Sequence, residues 1–218
     1  DVLTFGGSWL NFGGSIVTLP EAALPEYTVR VQFTDTSYVP TRAVINGTSS
    51  TGTWTAVDAS QGIWDCYAYT DLWRNLFRLK HSIIGANNYA KVLGVNVGST
   101  VTNISHMFDS NDALTEVHNF RSSADLINVY TDSIFYNCQY LTSVQIDMSG
   151  ADAISAMFQS CFRLTDVDIK TTNTLVYARN VFLNCSRLVS APQLVTDNVL
   201  YMNRMFDGCT ALTTVPNY

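Results

Sequence analysis

The 218 residues are 47% hydrophobic and only 14% charged, with a net charge of −6; the charged share is about half that of an ordinary soluble domain. The acidic balance argues against nucleic-acid binding, which needs a basic face to displace counterions from phosphate. No apolar run approaches the roughly 20 residues that span a bilayer, so no membrane insertion is expected.

A surface kept polar by Ser, Thr and Asn suits β-rich extracellular and virion proteins. No charged segment followed by an apolar one marks a secretory leader. The first residue is Asp1 rather than Met, which predicts a processed chain or part of a longer one.

Residues 1–74 carry two Gly-Gly pairs, Gly6-Gly7 and Gly13-Gly14, and all four tryptophans, Trp9, Trp54, Trp64 and Trp73. Tyr27–Phe33 alternates apolar and polar residues and is predicted as a strand. Gly52–Val57 and Ile63–Tyr69 are two more, separated by a turn at Asp58–Gly62. A small all-β domain is expected over residues 1–74.

Five segments then align on an aromatic anchor: Met107-Phe108, Ile134-Phe135, Met157-Phe158, Val181-Phe182 and Met205-Phe206, with Phe-to-Phe spacings of 27, 23, 24 and 24 residues. Three residues after each Phe stands Asn111, Cys138, Cys161, Cys185 or Cys209. Six after it comes Leu114, Leu141, Leu164, Leu188 or Leu212, and nine after it Val117, Val144, Val167, Ala191 or Val215. An apolar residue closes each unit: Phe120, Ile146, Ile169, Leu194 or Tyr218.

Two periods therefore share one repeat. Phe, Cys and Leu lie three apart, which suits a short helix or 3-10 turn. Val144 and Ile146, like Val167 and Ile169, lie two apart, which suits a strand with one buried face. Such a unit cannot bury its apolar face alone, whereas stacked units cover one another. A degenerate unit precedes them, with Phe77, Ile83 and Ala86 in the Phe, Leu and Val places and Lys80 in place of Cys; it is expected to cap the stack.

The motif Met-Phe-x-x-Cys-x-x-Leu-x-x-Val-x-Ile resembles the leucine-rich repeats of bacterial surface proteins, the BspA-like class. The resemblance covers residues 104–218 and extends toward residue 76. It implies a mixed α/β fold: a leucine-rich-repeat solenoid over residues 75–218, preceded by the all-β domain. Repeats of this class occur in bacterial adhesins and in phage and prophage fibre or tail proteins. The segment Ile63-Trp64-Asp65 followed by Trp73-x-x-Leu76-Phe77 looks similar to the one preceding such repeats in gut phage proteins. The implied function is a non-catalytic virion fibre or tail-type protein for attachment or assembly. The alternative is a bacterial cell-surface adhesin.

No catalytic or metal residues and no cofactor are predicted. Zinc sites want Cys pairs two to four residues apart, whereas these cysteines recur every 23 or 24 residues. They are read as a column of buried free thiols, with Cys66 in the core of its own strand. Asp109-Ser110-Asn111-Asp112 with Glu116 lacks the Gly and Glu of a calcium loop and is read as a turn. His81, His106 and His118 are scattered, and there is neither a Gly-x-Ser-x-Gly elbow nor a P-loop. Asp166 and Asp168 fall on the solvent side of a strand, where no cleft lets them act as a glycosidase pair. The sequons at Asn46, Asn103 and Asn184 matter only in a eukaryotic secretory route.

The candidate ligand-binding residues alternate with the inward Val and Ile: Glu116, His118, Ser143, Gln145, Asp166, Asp168, Ser190 and Thr214. Across five rungs they span roughly 24 Å at the usual strand spacing. The partners expected are a host surface protein or glycan, or other virion proteins, on a virion, outside cells or at a bacterial surface. Phe206, Leu212 and Val215 close the last repeat with nothing after Tyr218 to cover them, so a homo-oligomer or further chain is expected there.

Overall fold

The computed structural model describes residues 10–11, 16–17, 27–41, 44, 51–69, 77–98, 101–122 and 126–218. Trp9, Trp73, Leu76 and both Gly-Gly pairs lie outside the described residues. Strands β1 (Leu10–Asn11) and β2 (Ile16–Val17) form a small antiparallel pair. The remaining strands are β3 (Tyr27–Phe33), β4 (Thr51–Asp58), β5 (Ile63–Tyr69), β6 (Ala90–Val97), β7 (Leu114–Ser122), β8 (Ser143–Asp147) and β9 (Asp166–Lys170). They form one sheet in the order β4-β5-β3-β6-β7-β8-β9.

The three N-terminal strands match the sequence-based expectation in place. The turn between β4 and β5 forms because Asp58 accepts hydrogen bonds from the amides of Ser60 and Gln61. Gly62 closes it at φ 68°, where an added Cβ would run into the Phe33 carbonyl oxygen, so only glycine fits. These strands do not make the expected free-standing all-β domain. β3 pairs antiparallel with β6, and β6 pairs parallel with β7, so the N-terminal strands continue the solenoid's sheet. Val29, Val31 and Phe33 of β3 share one buried cluster with Val92, Val117 and Phe135. A common core, rather than a linker, joins the two parts.

The mixed α/β expectation is also corrected. Among the described residues the one α-helix is the single turn His81–Ile84. The Phe-Cys-Leu segments are runs of tight turns, and the amide pattern shows why. Around Phe158, the amides of Met157, Gln159 and Cys161 bond back three residues to Ile154, Ala156 and Phe158. Those of Ala156, Phe158 and Ser160 bond instead to the carbonyls of Arg179, Val181 and Leu183 on the next coil. A helix spends every amide on its own turns; here half are freed to join coil to coil. The alternation needs left-handed backbone at two places per coil: His106 and Ser110, Ser133 and Asn137, Ala156 and Ser160, Asn180 and Asn184, Arg204 and Gly208.

The predicted columns stack. Phe77, Phe108, Phe135, Phe158, Phe182 and Phe206 form one pile of rings with centroids 5.4–5.6 Å apart. Leu114, Leu141, Leu164 and Leu188 are fully buried beside it, and Leu212 is half-buried on the last coil. Phe77 is thus a true rung, but Ile83 and Ala86 do not follow it in the Leu and Val places. Ala90 and Val92 pair with Leu114 and Val117, and the turn of helix is an insertion between them. Tyr218 does not continue the Ile column. Its ring lies over Phe206 at 6.1 Å, and its hydroxyl donates to the Pro192 carbonyl.

Candidate functional site

The sheet face builds from register. Val117 pairs with Val144 and Val144 with Val167, so Glu116, Ser143 and Asp166 fall in one row on the opposite face. Gln145 opposes Asp168, and its Nε2 donates to Asp168 Oδ2 at 3.2 Å. Ser190 and Thr214 make their own parallel bridge on the last two coils, both exposed. None of the eight predicted residues is buried.

His118 is displaced from the simple alternation. Phe120 pairs with Ile146, so His118 and Asn119 together oppose Gln145, and Asn119 is left-handed at φ 50°. This bulge leaves His118 Nε2 at 3.1 Å from Glu116 Oε2, while Lys91 Nζ lies 2.7 Å from Oε1. Partial burial raises the Glu116 pKa, but hydrogen bonds from Lys91 and His118 outweigh it and hold the carboxyl below its ordinary value.

A shallow hollow of about 160 Å³ opens beside this bulge, lined by Asn119, Arg121, Gln145, Asp147, Asp168 and Lys170 among others. Lys170 Nζ lies 3.0 Å from Asp147 Oδ2. The sequence reading named only Gln145 and Asp168 of these. One more step of the same alternation reaches Asp147 and Lys170. The bulge that re-aims His118 and Asn119 leaves no periodic signal. Lys91 was missed because the first strand was placed too early, at Ala86.

The cysteines are structural. All five are free. Sγ of Cys138, Cys161, Cys185 and Cys209 donates to the carbonyl of the preceding coil's Phe at 2.9–3.1 Å. Asn111 does the same with Nδ2, reaching the Phe77 carbonyl at 2.7 Å. Burial pushes the Cys138 thiol up to about 12 and Cys161 well above its ordinary value. The carboxylates of the Asp109–Asp112 turn are engaged locally. Asp109 holds Ser110 Oγ at 2.6 Å and His106 Nδ1 at 3.1 Å, and Asp112 accepts the His81 amide at 2.9 Å. Among the described residues no three His, Cys, Asp or Glu side chains gather as a metal site, and no helix is long and apolar enough to cross a membrane.

The coil-to-coil stacking, the Phe pile and the thiol ladder define a repeat class. The family model of the BspA type leucine-rich repeat region matches residues 102–216, in six copies. The chain belongs to this family. The match leaves out Phe77, which the structure nonetheless stacks on Phe108 at 5.4 Å. Comparison with curated proteins and with solved structures finds no match.

Proposed function

We propose that the protein is a non-catalytic attachment module that presents its solenoid sheet face to a partner on another surface, a protein or a glycan. The observation that carries this is the register of the face. Glu116, Ser143 and Asp166 in one row, with Gln145 and Asp168 in the next, set hydrogen-bonding groups at strand spacing on a rigid support. Solenoids commonly bind along such repeated surfaces, and the hollow beside Asn119 gives the face relief. The carboxylates on it are spread along an open sheet rather than opposed across a cleft, which disfavours acid-base chemistry.

Two settings answer to this reading. Family membership supports a bacterial cell-surface adhesin. The likeness of Ile63-Trp64-Asp65 and the residues after it to gut phage proteins supports a virion fibre or tail component, extracellular and assembled with copies of itself or other virion proteins. Neither setting calls for a cofactor.

The test is adhesion of the fluorescently labelled chain to intact bacterial and epithelial cells. The double variant Gln145→Ala/Asp168→Ala should reduce saturable binding at least fivefold with the melting temperature unchanged. Wild-type binding that the variant fully retains would overturn the assignment of this face.

A further inference from the structure

A second ladder runs along the coils at the residues five before each Phe: Asn103, Tyr130, Ala153, Tyr177 and Tyr201. Asn103 bridges Tyr130, Ala153 bridges Tyr177 and Tyr177 bridges Tyr201, all in parallel. The Thr131 hydroxyl joins Tyr130's coil to the next by donating to the Ala153 carbonyl. Three of these positions carry exposed tyrosine: 68% for Tyr130, 41% for Tyr177 and 39% for Tyr201. Exposed aromatic rows on a soluble surface mark interaction sites more often than scattered apolar residues do.

The row is one ring short. Tyr177 and Tyr201 stack at 5.2 Å with planes 1° apart, and the Arg179 guanidinium lies 4.3 Å from the Tyr201 ring centroid. At Ala153 the ring is missing, so Tyr130 and Tyr177 stand two rungs apart, about 10 Å at the usual strand spacing. Stacked rings sit about 4.5–7 Å apart, so one guest ring between two hosts needs two such steps, about 9 Å or more. At that spacing, two rungs of about 10 Å match the separation that a single inserted ring needs.

We propose that the place over Ala153, between Tyr130 and Tyr177, is a sugar subsite that sandwiches one β-gluco-configured pyranose of a saccharide chain. A sandwiched ring must be apolar on both faces. The β-gluco ring meets this, since its hydroxyls are all equatorial and its axial C–H groups point to both faces. The rim is polar in the matching sense. Asp132 accepts the Ser155 amide at 2.9 Å across the coil boundary and so stands beside Ala153's coil. Asp152, next to Ala153, is exposed. Two carboxylates at the edge accept hydrogen bonds from equatorial hydroxyls; a plain aromatic guest has none to give. The site lies on a different ladder from the sheet face and does not rest on the function proposed for that face.

The test is calorimetric titration of the 218-residue chain with cellotetraose, with β-1,4-galactotetraose as the comparison because its axial O4 spoils one ring face. Cellotetraose should bind at least tenfold more tightly. Ala153→Tyr, which fills the gap, should weaken that binding at least tenfold while the protein still melts cooperatively. Tyr130→Ala, at a largely exposed position, should do the same without loss of melting temperature. Absence of cellotetraose binding, equal binding of both saccharides, or binding that Tyr130→Ala leaves unchanged would overturn the proposal.

Discussion

At the scale of single residues, one column position explains both the rule and its exception. From Phe77 to Phe182, each carbonyl of the Phe pile accepts a hydrogen bond from the side chain three residues past the next Phe, and Cys supplies a small donor that also fills an apolar corner. Asn111 stands where this column begins, and its amide makes the same bond to Phe77. Its Oδ1, however, is buried without a partner. Asn111→Ala should therefore cost about 1–3 kcal/mol, the penalty of an orphaned buried acceptor, measured by urea denaturation; Asn111→Cys should cost less than half as much. The thiols also give a pH prediction. Because folding raises their pKa values, the unfolded state loses protons first as pH rises above about 9, the ordinary thiol value. Stability linked to these groups is full below that pH and falls toward pH 12, where Cys138 titrates in the fold. In native protein at pH 8, Cys209, the half-buried member of the column, should react with a thiol reagent before Cys138, Cys161 and Cys185. Mass mapping of the first adduct checks the order.

At the scale of elements, the Phe, Leu and Val columns were legible in the sequence because side chains that meet their own copies every 23 to 27 residues leave a period that spacing alone exposes. The turns were not. A three-residue spacing between Phe158, Cys161 and Leu164 fits a helix as well as a chain of tight turns, and only the destination of the amides separates them. A faint signal existed two residues after each Phe: Ser110, Asn137, Ser160, Asn184 and Gly208 are small, and most are of the kinds that tolerate left-handed backbone. Ser160→Val, which puts a β-branched side chain at φ 63°, should cost about 1–2 kcal/mol, whereas Ser160→Gly should cost nothing or stabilise. Leu164→Ala, in the middle of the buried column, should cost about 2–5 kcal/mol. Chemical denaturation of the three variants side by side tests both statements. The sheet face was legible residue by residue, since alternation fixes which side chains point outward. The Asn119 bulge and the Lys91 contact were not, since both depend on how β6 and β7 meet.

At the scale of the molecule, β6 is where an antiparallel sheet becomes a parallel one, and the N-terminal strands gain a core by borrowing the solenoid's. The sequence divided the chain at residue 74 because composition changes there, but hydrophobic burial does not stop at that line: Val31 and Val92 are Cα partners and both are fully buried. At the other end Leu200 is 73% and Val215 49% exposed, and Tyr218 lies over the last ring of the Phe pile. Hydrogen exchange should find the amides of Asp207 and Thr214 less protected than those of Phe158 and Ser160. At high protein concentration that difference should shrink if copies associate through this end.

The proposed binding face depends on the register of the parallel strands, because a slip of one residue would turn Glu116, Ser143 and Asp166 inward. The most direct measurement is the set of inter-strand proton contacts across β7, β8 and β9 by nuclear magnetic resonance. The structure predicts parallel-type contacts linking Val117 with Val144 and Val144 with Val167, with Gln145 beside Asp168. Antiparallel contacts, or pairing of Val144 with Asp166 or Asp168, would contradict it.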